Sequence, residues 1–242
     1  MKAATEASNS QRNNRGLKAR KKEGYFTKRN MTPKAKTMLR SVKMLIPQRK
    51  LSYDPKQSAL LILDMQKYFL DSSSHAFIPS APAIVANISR LYEAYVRMKL
   101  PVVFTRHLNT IQDAGLLAAW WKELIKESDP LSAIITDLRH ENQLVIKKSR
   151  YDAFLNSSLH EMLKKRNVKQ LLISGVMANV CCESTARSAF QKGYEVFFLV
   201  DGTAAYNERF HMASLLNLGF GFAELALTED ICKSIIELHE TE

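Results

Sequence analysis

The chain is poor in cysteine. It has three in 242 residues, and Cys181, Cys182 and Cys232 fall at no spacing that suits a zinc site or a disulfide framework. That scarcity excludes a small secreted disulfide scaffold and fits a reducing compartment, so the cytoplasm is the expected location. Long apolar runs are missing too: none reaches the roughly 18 residues of a membrane-spanning helix, and the N-terminus lacks the apolar core of a secretory signal. Acidic residues are scarce in residues 1–50. That segment holds 15 of the 35 Lys and Arg but only Glu6 and Glu23 of the 24 acids, a net charge of +13, whereas residues 51–242 carry −2. The overall +11 therefore belongs to an N-terminal arm and is no argument for nucleic-acid binding by the folded body.

The arm, residues 1–50, reads as largely disordered, because its first twenty-odd residues carry Asn9, Ser10, Gln11, Asn13 and Asn14 with few apolar groups. Its basic, acid-poor composition also suits a transit peptide. Within it only residues 33–45 show a weak amphipathic spacing (Ala35, Met38, Leu39, Val42, Leu45), so a helix is expected there, packed on the domain or on a neighbouring subunit. With so little apolar surface to bury, loss of residues 1–30 is expected to leave stability nearly unchanged.

Residues 51–242 read as one domain. Short apolar runs at 58–63, 102–105, 144–147, 171–174, 195–200 and 222–225 predict strands, and helical periodicity at 81–99, 158–165, 179–191 and 208–218 falls between them. This alternation predicts an α/β fold: a three-layer α-β-α, Rossmann-like parallel sheet with helices on both faces. The stretch GLLAAWWKELI, with Trp120 and Trp121, reads as a helix whose tryptophans pack in the core, the alternative being a cover over a site mouth or a subunit interface.

The sequence LLISGVMANVCCESTARSAF, Leu171 to Phe190, is a buried strand, a turn at Gly175 and a helix from about Asn179. Cys181 falls in the first helical turn, where the macrodipole and free amides favour a thiolate and can receive an oxyanion, so it is a candidate nucleophile. Cys182, about 100° further round the helix, is expected to face the core, as is Cys232. Asp64 stands at the carboxyl end of the 58–63 strand, where open α/β sheets bind ligands; the competing reading is a turn or helix-capping aspartate. His107, at a strand end, is read as a hydrogen-bonded structural residue. Phe69, in the loop after Asp64, is expected to wall the pocket.

Three segments in this order, ALLILDMQKYF, VIKKSRYDAF and ISGVMANVCCESTARSAF, continued by GYEVFFLVDGTAA, make residues 53–229 resemble the isochorismatase-like cysteine hydrolases, which include nicotinamidases, N-carbamoylsarcosine amidohydrolase and ureidoacrylate amidohydrolases. The resemblance implies a catalytic set of Asp64, Lys148 and Cys181. It also implies an oxyanion hole from the backbone N–H groups of Met177 and Cys181, with a cis peptide between Val176 and Met177. It selects Lys148 over Lys147 because Arg150 and Tyr151 follow at the right spacing, and Tyr151 is expected beside the pocket. No metal is expected, since the Asp-x-His pattern of nicotinamidases is missing, and no cofactor is implied.

A thiol, a carboxylate and an ammonium at neighbouring strand ends suit acyl transfer from an amide, ureide or carbamoyl C–N bond of a small-molecule substrate. The alternative is a vinyl-ether hydrolase of the isochorismatase type, whose resemblance lies in DPKQSALLILDMQKYFL. Isochorismatases carry glycine at the cysteine position and a substrate-binding arginine where QDAGLL has Ala114. A third reading is a non-catalytic module tethered by its basic arm to an acidic surface such as RNA. A homo-oligomer, dimer or tetramer, is expected, with no membrane partner; contact of the arm with nucleic acid is the less favoured partner reading.

Overall fold

The computed structural model describes residues 23–47, 49, 51–121, 123–138 and 142–240, with the side chains of the last two left aside. Six strands form one parallel sheet in the order β3-β2-β1-β4-β5-β6. They are β1 Ser58–Leu63, β2 Val102–His107, β3 Leu144–Lys148, β4 Gln170–Val176, β5 Glu195–Ala204 and β6 Glu224–Ala226. Every residue of β1 and β4 is buried, as expected for strands covered on both faces, which is why SALLIL reads as an unbroken apolar run.

The helices follow from the connections. α3 (Ala81–Arg97) joins β1 to β2 and buries Ile84, Ile88, Leu91, Tyr92 and Tyr95 at helical spacing. α6 (Leu159–Lys165) leads into β4, α7 (Glu183–Gln191) joins β4 to β5, and α8 (Glu208–Gly221) joins β5 to β6. α9 (Thr228–Glu240) packs against α3, and α7 against α8. Because the chain winds outward from β1 in one direction and from β4 in the other, right-handed crossovers put these two pairs on opposite faces. The three-layer arrangement predicted from the alternation of elements is the one observed. The direction reverses between β1 and β4, which leaves a crevice outside their carboxyl ends.

The helix expected at 33–45 is found as α1, Met31–Lys43, with Met31, Ala35, Met38 and Val42 buried against α8 and β5. The packing starts earlier than expected. Phe26 is 1 % exposed, and the Tyr25 hydroxyl accepts from the Ala205 N–H and bonds to Nδ1 of His211. The premise that residues 1–30 bury little apolar surface therefore does not hold at Phe26, which Tyr25 flanks. Residues 1–22 lie outside the described part. Trp120 and Trp121 are not core residues either: they are 78 % and 44 % exposed, on and just after a single helical turn, α5 (Leu117–Trp120), that follows another, α4 (Ile111–Ala114).

Candidate active site

Four adjacent strands deliver side chains to the crevice. Asp64 follows β1 with φ +52°, a left-handed conformation that aspartate tolerates better than most residues, and this turns its carboxylate back over the sheet. Thr105 on β2 clamps it: the hydroxyl donates to Oδ1 at 2.6 Å and accepts from the Asp64 N–H at 3.2 Å. Lys148 ends β3, and its Nζ stands 2.7 Å from Asp64 Oδ2, with both side chains fully buried. Apart from that ion contact Oδ2 has no close hydrogen-bond partner among the described residues, and the carboxylate interacts with the Cys181 thiol as well as with Lys148.

The chain after β4 supplies the sulfur. A glycine is required at Gly175, whose φ is +107° and where a β-carbon would lie 2.0 Å from the Leu63 carbonyl oxygen. The Val176–Met177 peptide is cis, as the resemblance implied. Residues Ala178–Cys182 then form a π-helical turn before α7 begins at Glu183. The Met177 carbonyl takes the N–H groups of Val180 and Cys182, at 3.1 Å each, and not that of Cys181. Cys181 Sγ is 3.3 Å from Lys148 Nζ. Cys182 is fully buried and Cys232 nearly so, as expected.

The electrostatics correct one expectation. Burial drives the Cys181 thiol up to about 12, and the nearby Asp64 carboxylate adds to this, against the opposing pull of Lys148. The resting form is thus the thiol; desolvation of a buried sulfur exceeds the helix-dipole effect that had suggested a thiolate. Burial is the largest influence on Asp64 and would raise it, but the Lys148 ammonium, His107 and hydrogen bonds from Lys148 and Thr105 together outweigh it and hold the carboxyl below the usual range. For Lys148, burial acts downward and is overcome by Asp64 and Cys181, so the ammonium is kept. The site at rest is one ion pair beside a neutral thiol.

His107 belongs to this cluster, although the sequence suggested only a structural role. Its Nδ1 is 3.2 Å from Lys148 Nζ and its Nε2 2.8 Å from Asn109 Oδ1; burial, helped by the Lys148 charge, lowers it to about 4, so the ring is neutral. Gln66 fixes its backbone, accepting from the His107 N–H and donating to its carbonyl and to that of Ser132. Asp64, His107 and Cys181 offer an oxygen, a nitrogen and a sulfur all within 4.8 Å of one another, donor types that suit a soft divalent cation. The Lys148 ammonium already lies within reach of all three, so a further cation there would meet its charge.

Tyr151 is half-buried beside the cluster, close enough for the charges of Cys181 and Lys148 to act on it, and its hydroxyl accepts from the Trp121 indole at 2.7 Å. Phe69, in the turn after Asp64, is partly buried against the hydrophobic core and lies edge-on to Tyr68. Gln66, Thr105 and Asn109 were not singled out in the sequence. A depression of about 380 Å³ bordered by Phe190, Tyr194 and Phe222 lies at the amino-terminal end of β5, away from these groups.

Known proteins resemble the chain throughout this region. Residues 58–230 match the isochorismatase domain model. The chain is 37 % identical over 193 residues to "Nicotinamidase 3" of Arabidopsis thaliana, covering 78 % of this chain and 93 % of the relative. It is 35 % identical over 175 residues to "Isochorismatase" of Bacillus subtilis, covering 70 % of this chain and 56 % of that one. Among solved structures, a cysteine hydrolase from Pseudomonas syringae pv. phaseolicola superposes with a TM-score of 0.75 at 24 % identity, over 79 % of this chain and 98 % of that one. No described helix is long and apolar enough to cross a membrane. With the domain match spanning most of the chain and two curated relatives above 30 % identity, this protein belongs to the isochorismatase family of hydrolases.

Proposed function

We propose that the protein hydrolyses a C–N bond of a small amide, ureide or carbamoyl compound through a thioester on Cys181. The observation that carries this reading is the buried thiol held against an ion pair, Asp64 and Lys148, at the point where the sheet reverses direction. Asp64 takes the thiol proton as the sulfur attacks the carbonyl carbon. The tetrahedral oxyanion is received by the backbone N–H groups of Met177 and Cys181, each such donor worth about 3 kcal/mol in well-studied hydrolases. Asp64 then passes the proton to the departing nitrogen, which leaves as ammonia or amine. Water attacks the thioester, giving its proton to Asp64, and the acid product departs as the thiol is re-formed. Lys148 stays charged throughout and keeps Asp64 ionised between steps. Two relatives, a nicotinamidase of Arabidopsis thaliana and the ureidoacrylate amidohydrolase of Pseudomonas syringae, support the substrate class.

The test is rapid quench during turnover of a panel of carboxamides and ureides. A mass adduct on the Cys181 peptide, with nitrogen released no later than the acid, is expected. The second reading, vinyl-ether hydrolysis, is favoured by the Bacillus subtilis relative. It needs protonation of carbon by Asp64 and no thiol, so Cys181→Gly would then keep cleaving isochorismate and no adduct would form. Asp64→Asn stops either reaction and tests the site, not the chemistry.

A further inference from the structure

The Lys148 ammonium has three hydrogens and four partners: Asp64 Oδ2 at 2.7 Å, the Arg150 carbonyl at 3.0 Å, His107 Nδ1 at 3.2 Å and Cys181 Sγ at 3.3 Å. Which of them goes short decides how much positive charge the sulfur receives. A chain of hydrogen bonds settles the role of His107. The Ser149 carbonyl can only accept, and it lies 3.0 Å from Asn109 Nδ2, so the amide of Asn109 is oriented with Oδ1 toward the imidazole. An amide oxygen can only accept as well, so Nε2 of His107 carries the ring proton. Nδ1 of the neutral ring is then a lone pair that can only accept from Lys148, although the Arg150 carbonyl also lies against the ring.

We propose that His107, fixed as the Nε2–H tautomer by Asn109, is a positioning residue that claims the third hydrogen of Lys148 and so keeps Cys181 a neutral thiol until Asp64 removes its proton. The remaining two hydrogens serve Asp64 and the Arg150 carbonyl. Those two partners and His107 are the stronger acceptors, so Sγ, whose 3.3 Å contact is of ordinary length for sulfur but which is the poorest acceptor of the four, holds only a shared and weakened hydrogen bond. The strand register enforces the arrangement, because His107 and Lys148 are direct partners in the β2–β3 ladder and Gln66 holds the His107 backbone on both sides. Among the described residues the sulfur also interacts with Cys182, fully buried in the same turn, and with Tyr151, whose hydroxyl is engaged by the Trp121 indole. This rests on the reading of Cys181 as nucleophile only for its significance; the hydrogen-bond assignment needs no substrate.

The experiment has two arms. Nitrogen-15 NMR of the full chain with labelled histidine reads the tautomer directly: a proton on Nε2 of His107 and none on Nδ1 is expected, and the opposite tautomer overturns the proposal without touching the acyl-enzyme reading. The second arm measures iodoacetamide alkylation of Cys181 at fixed pH by peptide mass mapping. His107→Leu releases a hydrogen of the ammonium to Sγ, and alkylation is expected to rise about tenfold, equivalent to one unit in the thiol's pKa. His107→Asn, which keeps an acceptor near the position of Nδ1, is expected to stay at the rate of the unmodified protein. Cys182, buried in the same turn, is the internal control: labelling of both cysteines in His107→Leu means loosened packing and overturns the proposal, as does an unchanged or slower rate at Cys181. The acyl-enzyme reading fails by a different result, absence of the quench adduct.

Discussion

Lys148 Nζ lies 2.7 Å from Asp64 Oδ2, and neither side chain has any exposed surface. Two charges taken wholly out of water depend on each other: removing one strands the other at a cost of roughly 3–5 kcal/mol, while removing both can be nearly neutral. Lys148→Met and Asp64→Asn are each expected to lose about 3 kcal/mol in denaturant unfolding. The double variant should be more stable than Lys148→Met alone and equally inactive. Additive losses in the double variant would mean that the pair is not coupled.

Acid should weaken the fold before the carboxylates titrate. His211 is buried between Tyr25 and Thr203, and burial lowers it from 6.5 to about 3; His107 is lowered in the same sense to about 4. Both fold as neutral rings. The unfolded chain takes up these protons first, so their contribution is complete above about pH 6.5 and is lost as pH falls from there toward 3. A His211→Asn variant, less stable at pH 7, is expected to show a shallower decline of stability between pH 6.5 and 4. An identical slope would remove His211 as the cause.

At the N-terminus, Phe26→Ala should lower stability by about 3 kcal/mol, the usual range for emptying a buried aromatic site. Phe26 is 1 % exposed and lies edge-on to His211. Deletion of residues 1–30 should therefore drop the melting temperature by several degrees in a calorimeter, and an unchanged melting temperature would show that α1 holds without Tyr25 and Phe26.

Gly175→Ala is expected to be the most damaging single methyl in the protein. A β-carbon there falls 2.0 Å from the Leu63 carbonyl, at a φ of +107°, and the atom it meets is backbone of the central strand. We expect loss of more than 3 kcal/mol or failure to fold, measured by soluble yield and urea midpoint. A well-folded variant would show that β1 and β4 can separate at the end that carries Asp64.

The alternation of apolar runs and helical stretches made the sheet readable, and the ordered motifs picked out Asp64, Lys148 and Cys181, which the structure brings together. What stayed hidden depends on register. Thr105, Gln66 and Asn109 are ordinary polar residues in sequence; they matter because β2 lies beside β1 and pairs His107 with Lys148, and period-2 patterning fixes a strand without fixing its partner residues. The thiol's protonation was misjudged for a related reason. A helix start is visible locally, but the burial that outweighs it comes from strands distant in the chain. Trp120 and Trp121 were misplaced because an apolar stretch with helical spacing does not say whether anything covers it.

The exposed 118–121 segment has a further consequence. The chain has two tryptophans, adjacent to each other, and the indole of one is bonded to Tyr151 at the edge of the site. Indole emission follows the polarity and hydrogen bonding of the ring, so the intrinsic fluorescence of this protein reports one stretch beside the nucleophile and no average over the fold. A ligand that displaces the Tyr151 hydroxyl would change the colour of Trp121. Unfolding of the sheet, by contrast, would leave the already solvated Trp120 nearly as it was.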